Sequence, residues 1–353
     1  MIMRGGSSKG AYFVADELPA DPDRRDDVLL RIMGSPDERQ IDGIGGAHPL
    51  TSKVAVVSKS ERDDADVDYL FLQVGVEVPV VSDRQNCGNL LSGVAAFAIE
   101  RDLIEVEPTM DAAVVNIHMI NTGSVATATI RTSGGRPVYG GATAISGVPG
   151  TSARIRLDFD DIAGGSTGGA LLPSGSPLDT IEGVDCTLID NGMPVVVMRA
   201  DAVGVSGNEP CEELEANQEL RAKLEAIRMV AGELMNLGDV TDTTVPKLTM
   251  VSPPRNGGHL STRTFIPHRC HEAIGVLGAV SVATAALIPG SPANEVAQLN
   301  GDNIVLEHPS GVFEAAVEAR VEPGSVILER AGIVRTARKI MDGTVFPRDG
   351  AHG

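Results

Sequence analysis

The chain runs through one order of elements twice. Met3-Arg4, closing a short apolar strand, returns as Met198-Arg199. A helical stretch over 23–34 returns, lengthened, over 214–237. Ser52-Lys53-Val54-Ala55-Val56-Val57 returns as Pro246-Lys247-Leu248-Thr249-Met250-Val251. The Cys87 turn before an apolar helix at 90–99 returns as Arg269-Cys270-His271 before the helix at 273–287. The strand–turn–strand pattern around Gly123 returns around Gly311. Such an ordered repeat at nearly constant offset marks an internal duplication, and its copies are too long for a solenoid unit. The fold class expected is α+β, with two like domains at 1–175 and 176–353. Leu172-Pro173-Ser174-Gly175-Ser176-Pro177 reads as their connection. The extreme C-terminal strand is free to pack back on the first domain.

Composition narrows the class. Aromatic residues are 3% of the 353 and Trp is absent, so the cores are built from Val, Ile, Leu and Ala. The 40 Gly and 21 Pro suit a strand-rich chain with many tight turns. A net charge of −19 argues against nucleic acid as a partner. It leaves room for a small anion held by a local cluster of donors. The four cysteines (Cys87, Cys186, Cys211, Cys270) form no close-spaced pair, so neither a metal site nor a disulfide framework is expected. Met1 leads straight into a strand-like segment, and no apolar run reaches membrane-spanning length. The sequence therefore reads as a cytoplasmic protein with no membrane partner.

Three segments carry potential chemistry. In Asp83-Arg84-Gln85-Asn86-Cys87-Gly88-Asn89 a thiol sits where a strand-like run meets a helix. Unpaired N–H groups at a helix mouth offer donors to a thiolate or a bound carboxylate. The alternative is a structural cysteine buried in the turn. In Arg4-Gly5-Gly6-Ser7-Ser8-Lys9-Gly10 the glycines let backbone approach a ligand that Arg4, Ser7, Ser8 and Lys9 can meet with donors. The alternative is a hairpin turn with solvated charges. Lys53 enters a strand from the Gly-rich loop at 40–50. It is either a solvated edge residue or, desolvated beside cationic groups, a general base. Should the two halves face each other about a pseudo-twofold, the Cys87 and Cys270-His271 helices point at one cleft. Such a cleft suits a di- or tricarboxylate.

The motifs Met3-Arg4-Gly5-Gly6-Ser7-Ser8-Lys9-Gly10, Gly34-Ser35-Pro36, Gln40-Ile41-Asp42-Gly43-Ile44-Gly45-Gly46, Leu50-Thr51-Ser52-Lys53-Val54-Ala55-Val56 and Gln85-Asn86-Cys87-Gly88-Asn89 extend the reading. With them the chain resembles the PrpF (methylaconitate/methylitaconate isomerase) family of the diaminopimelate-epimerase-like superfamily. It departs at Ser7, where Thr is expected, and at His48, where Asp is expected. The resemblance implies two pseudo-symmetric domains, each a mainly antiparallel, barrel-like sheet around a central helix, with the active site in the cleft between them. It implies a cofactor-free isomerase moving a proton and a double bond within an unsaturated tricarboxylate. First among substrates is 4-oxalomesaconate, of gallate and protocatechuate breakdown; 2-methylaconitate or methylitaconate comes second.

By the same resemblance, Lys53 is the main acid/base group and Cys87 an auxiliary one. On this reading Arg4, Gly5, Ser7, Ser8, Ser52, Asn86, Gly88 and Asn89 are expected to contact the substrate, and Arg263, Thr264 and His271 of the second domain to grip a distal carboxylate. His271 has a capping role as its alternative. The rival readings are a two-thiol epimerase using Cys87 and Cys270, a cysteine-nucleophile hydrolase, and a non-catalytic accessory protein. Oligomeric state stays open, with a homodimer among the options.

Overall fold

Alternation along the strands sets the layers. The computed structural model describes residues 1–83, 87–159, 163–241, 243–300, 303–322 and 325–349. They form two compact units, Met1–Asp158 with Val334–Gly353, and Phe159–Ile333. The first contains β1 (Ile2–Gly5), β2 (Ser8–Val14), α1 (Pro22–Met33), β3 (Lys53–Lys59), β4 (Val67–Val74), β5 (Val81–Ser82), α2 (Gly88–Glu100), β6 (Ala112–Met119), β7 (Ser124–Ser133), β8 (Arg136–Pro137) and β9 (Ile155–Phe159). The second contains β10 (Asp179–Ile181), β11 (Val184–Asp190), β12 (Pro194–Arg199), α3 (Cys211–Ala216), α4 (Gln218–Leu234), β13 (Lys247–Ser252), β14 (Leu260–Ile266), β15 (Arg269–Cys270), α5 (Val276–Leu287), α6 (Pro292–Val296), β16 (Ile304–His308) and β17 (Gly311–Glu322). Two further strands follow, β18 (Ser325–Arg335) and β19 (Ala337–Met341).

The duplication is visible in how strands pair. Along β1-β2-β3-β4-β6-β7 the pairings run antiparallel, parallel, antiparallel, parallel, antiparallel. Along β11-β12-β13-β14-β16-β17 they run in the same order. Lys53 opens β3 as Lys247 opens β13.

Each sheet has an outer and an inner face, because successive side chains point opposite ways. In the first unit Ala11, Phe13, Val54, Val56, Leu72 and Val74 pack outward on Leu29, Ile32 and Met33 of α1. The inner face wraps α2, which touches β1, β2, β3, β4, β6, β7, β8 and β19. Every residue from Leu90 to Ile99 is buried, as a helix apolar on all sides requires. The second unit repeats this. Leu248, Met250 and Phe265 pack outward on Leu220, Leu224 and Ile227 of α4. Helix α5 is buried from Gly278 to Ala286.

Local signals account for the element ends. Asp21 caps α1 by accepting from the Arg24 N–H at 3.0 Å, and Gly34 ends it at φ 79°. The helix expected over 214–237 is broken into α3 and α4. Asn217 leaves helical geometry and caps α4 through the Leu220 N–H at 3.0 Å. The Gly-rich stretch ahead of residue 175 is bound to Asp190 within the second unit. The Asp190 carbonyl accepts from the Gly164 N–H at 2.7 Å, and its carboxylate from the Ser166 N–H and the Thr167 hydroxyl. The C-terminal strand β19 pairs antiparallel with β1.

Candidate active site

Cys87 is the residue that caps α2, in extended geometry just before the first helical turn. Lys53 opens β3 on its inner face, alternating with Val54 and Val56, which turn outward. The two facts bring their side chains together. Lys53 Nζ lies 3.3 Å from Cys87 Sγ and 3.3 Å from Ser8 Oγ. It also stands 5.6 Å from the centroid of the Phe71 ring. Lys53 is 8% exposed, Cys87 7% and Ser8 2%. A nearly desolvated amine within reach of a thiol and a hydroxyl is an apparatus for moving protons.

Two buried tyrosines hold the helix mouth to the sheet. Tyr12 Oη donates to the Leu90 carbonyl at 2.6 Å, and Tyr69 Oη to the Cys87 carbonyl at 3.3 Å. Burial, and next the neighbouring Cys87, push both phenols well above the ordinary tyrosine value, so they remain donors. The Tyr12 hydroxyl fits because position 93 is Gly: a Cβ there would collide with it. Sequence reasoning passed over both tyrosines; their inner-face positions were the available signal.

The Gly5-Gly6 turn lies against the first turn of α2. A Cβ on Gly5 would strike the Asn89 carbonyl, and one on Gly6 the Asn89 side chain. Asn89 and Ser7 are joined reciprocally, the Asn89 amide donating to Ser7 Oγ at 3.3 Å and the Ser7 N–H to Asn89 Oδ1 at 3.4 Å. Ser8 thus touches Lys53, while Gly5 and Ser7 pack on Asn89 at the first turn of α2 that Cys87 caps. Asn86 lies outside the described residues.

Arg4 and Ser52 are both tied into the protein's own hydrogen bonds. The Arg4 guanidinium donates to the carbonyls of Gly6 and Thr336, to Thr336 Oγ1 and to Ser152 Oγ. It braces the turn from behind. Ser52 is fully buried and donates to Gln40 Oε1 at 2.6 Å, while the Gln40 amide donates to Ser35 Oγ and Ser35 to the Gly75 carbonyl. This polar chain fixes the loop that delivers Lys53. Gln73 adds to it by donating to the Pro49 and Ser52 carbonyls. His48 is exposed and closes its own turn by accepting the Leu50 N–H at 3.0 Å.

In the second unit the expected residues separate by face. Arg263 lies on the outer side with Phe265, donating to the Glu209 and Thr262 carbonyls. Thr264 lies on the inner side, where its hydroxyl bonds Thr249 Oγ1 at 3.0 Å. The His271 N–H donates to the Thr264 carbonyl at 2.7 Å. Strand alternation is the reason that Arg263 and Thr264 do not share a surface. Cys270 pairs with Phe265 and is buried in the outer core with Cys211 packed alongside. Burial, with Cys211 next, pushes its thiol far up. The residue capping α5 is Gly275, so the counterpart of Cys87 is a glycine. The expected correspondence of Cys87 with Cys270 is therefore corrected, and the symmetric thiol pair that a two-thiol epimerase needs is missing from the helix mouths. Among the described residues no His, Cys, Asp and Glu cluster is arranged to hold a metal ion. No helix among them is long and apolar enough to cross a membrane.

A family model described as PrpF protein matches residues 1–348. The chain belongs to the PrpF family. It is 58% identical over 349 residues to a (4E)-oxalomesaconate Delta-isomerase of Novosphingobium sp. (strain KA1), covering 98% of this chain and 96% of that one. It is 54% identical over 348 residues to a 4-oxalomesaconate tautomerase of Pseudomonas putida, covering 98% and 94%. A crystal structure of methylitaconate-delta-isomerase superposes with a TM-score of 0.87 at 35% identity, covering 97% of this chain and 93% of that one. These PrpF relatives are isomerases, and the diaminopimelate-epimerase-like α+β fold expected from the sequence is the fold found.

Proposed function

We propose that this chain catalyses a 1,3-allylic proton transfer in an unsaturated tricarboxylate, with 4-oxalomesaconate as substrate. The observation that carries the reading is the Lys53–Cys87–Ser8 contact at the mouth of α2. The amine of Lys53, in its neutral form, takes a proton from the allylic carbon. The electron pair left behind moves into conjugation, and negative charge settles on a carbonyl or carboxyl oxygen as a dienolate. First-turn N–H groups of α2 at Gly88 and Asn89, with the Gly5–Ser8 turn, stabilise that oxygen. Among the described residues no side chain caps this helix, which leaves its donors for a ligand. The proton returns at the far allylic carbon from the Lys53 ammonium, or from Cys87. One base serving both ends transfers on a single face.

The 58% and 54% identities to proteins named for oxalomesaconate put that acid first. The likeness to a methylitaconate isomerase at 35% identity makes methylitaconate the second reading. Four free cysteines support a cytoplasmic setting. The test is proton NMR in deuterium oxide with each candidate acid. Deuterium entering at the allylic carbon together with double-bond migration supports the reading. A chain that exchanges and isomerises none of them overturns it.

A further inference from the structure

Lys247 is the second unit's counterpart of Lys53, and the proton-transfer chemistry leaves it unused. It opens β13, level with Val195 of β12, on the inner face with Thr249. It is partly buried, and among the described residues its Nζ forms no hydrogen bond and no ion pair. A cation drawn partly out of water without a counter-charge is costly, and a bound anion offsets that cost.

His271 lies on the same inner face, on the segment that pairs with β14. Its backbone N–H is tied to Thr264, whose hydroxyl is joined to Thr249 two residues along from Lys247. The His271 ring is fixed as well. Nδ1 accepts the Ala273 N–H at 2.8 Å, so in the neutral imidazole the proton sits on Nε2. Nε2–H has no partner among the described residues. Burial, and next Lys247, lower the His271 pKa, while the exposed Glu272 works weakly against them. Burial alone lowers that of Lys247. One N–H donor and one amine on one face of the sheet, neither with a partner among the described residues, suit the two oxygens of a carboxylate.

We propose that Lys247 and His271 form a carboxylate-binding site within the second unit, taking one carboxylate of a polycarboxylate ligand. The choice of a polycarboxylate rests on the function proposed above; the site itself does not. Sequence reading named His271 alone, as a grip or a cap, and saw Lys247 only as an echo of Lys53.

The probe is tricarballylate, a saturated tricarboxylate with no double bond to move, titrated into the full chain. The imidazole Cε1–H resonance of His271 is followed by proton–carbon NMR, and affinity by calorimetry. The expected result is a saturable shift of that resonance, with affinity weakened about tenfold or more in Lys247→Gln and in His271→Gln. Lys247→Arg, which keeps the charge, should retain most of the affinity and serves if the glutamine variant does not fold. A His271 resonance that stays put, an unchanged affinity in both glutamine variants, or an equal shift from acetate at the same concentration would overturn the site. Turnover of oxalomesaconate by the unaltered chain is scored separately. A chain that binds tricarballylate at His271 but isomerises nothing keeps this site and loses the proposed reaction.

Discussion

Lys53 Nζ lies 3.3 Å from Cys87 Sγ, and both side chains are more than nine-tenths buried. A lysine from a strand and a thiol from a helix cap meet there because the inner face of β3 looks onto the N-terminus of α2. The distance fits proton exchange between the two groups, and the burial keeps bulk water from competing.

If Lys53 is the base, Lys53→Met should lower kcat for allylic isomerisation by about 10³-fold, within the range general bases supply. Lys53→Arg should not restore it, because a guanidinium does not deprotonate in proteins. Deuterium exchange at the allylic carbon, measured by NMR, reads the same step. Exchange at the unaltered rate in Lys53→Met removes the lysine from its role.

The two cysteines make an unequal pair. Cys87 caps α2 beside Lys53, whereas Cys270 faces the outer core next to Phe265. Cys87→Ser keeps a smaller hydroxyl in place and should cost about 10- to 100-fold in kcat, less than loss of the principal base. Cys270→Ser should leave kcat within about threefold while lowering stability by about 1 kcal/mol, since it puts a hydroxyl where an apolar core surrounds a thiol. A collapse of activity in a folded Cys270→Ser protein would restore the two-thiol mechanism.

The repeat and the central helices were legible in the sequence because they rest on local patterns, whereas the pairing of Lys53 with Cys87 was an expectation drawn from the family resemblance. Apolar runs announce a buried helix, and Gly-rich motifs announce close backbone approach. What was not legible depends on which face a strand presents. Arg263 and Thr264 are neighbours in sequence and opposed in space, and Cys270 drifts from the helix mouth because His271 to Gly275 intervene before α5 begins. The role of Ser52 was hidden for a related reason. Its partner Gln40 lies twelve residues back across a loop whose path no local propensity dictates.

Glu307 gives the second unit a pH-dependent anchor. Its carboxylate accepts the N–H groups of Arg255, Asn256 and Gly258 and the Ser261 hydroxyl, at 2.6 to 2.9 Å. Burial works to raise its pKa, but these donors outweigh it and the net shift is downward. A depressed carboxyl contributes stability that is complete above its unfolded value of about 4.3 and is lost as pH falls through the folded value. Glu307→Gln should therefore cost about 2 kcal/mol at pH 7 in urea unfolding, with the gap between variant and parent closing below about pH 4. A gap independent of pH would show that the charge does not matter.

Tyr12 and Tyr69 should divide stability from rate. The 2.6 Å bond from Tyr12 ends on Leu90, inside α2, at a carbonyl that also serves the helix. Tyr12→Phe forfeits a short buried hydrogen bond and leaves the space beside Gly93 underfilled, so it should cost about 1 to 2 kcal/mol in unfolding free energy. The 3.3 Å bond from Tyr69 is longer and weaker, but it ends on the carbonyl of Cys87 itself. Tyr69→Phe should cost less than about 1 kcal/mol of stability yet lower kcat severalfold with little change in KM, because it frees the residue that sets the thiol against Lys53. Urea midpoints and steady-state kinetics on the two variants decide the point. If Tyr12→Phe takes the larger loss in kcat, the Cys87 carbonyl is not what fixes the site.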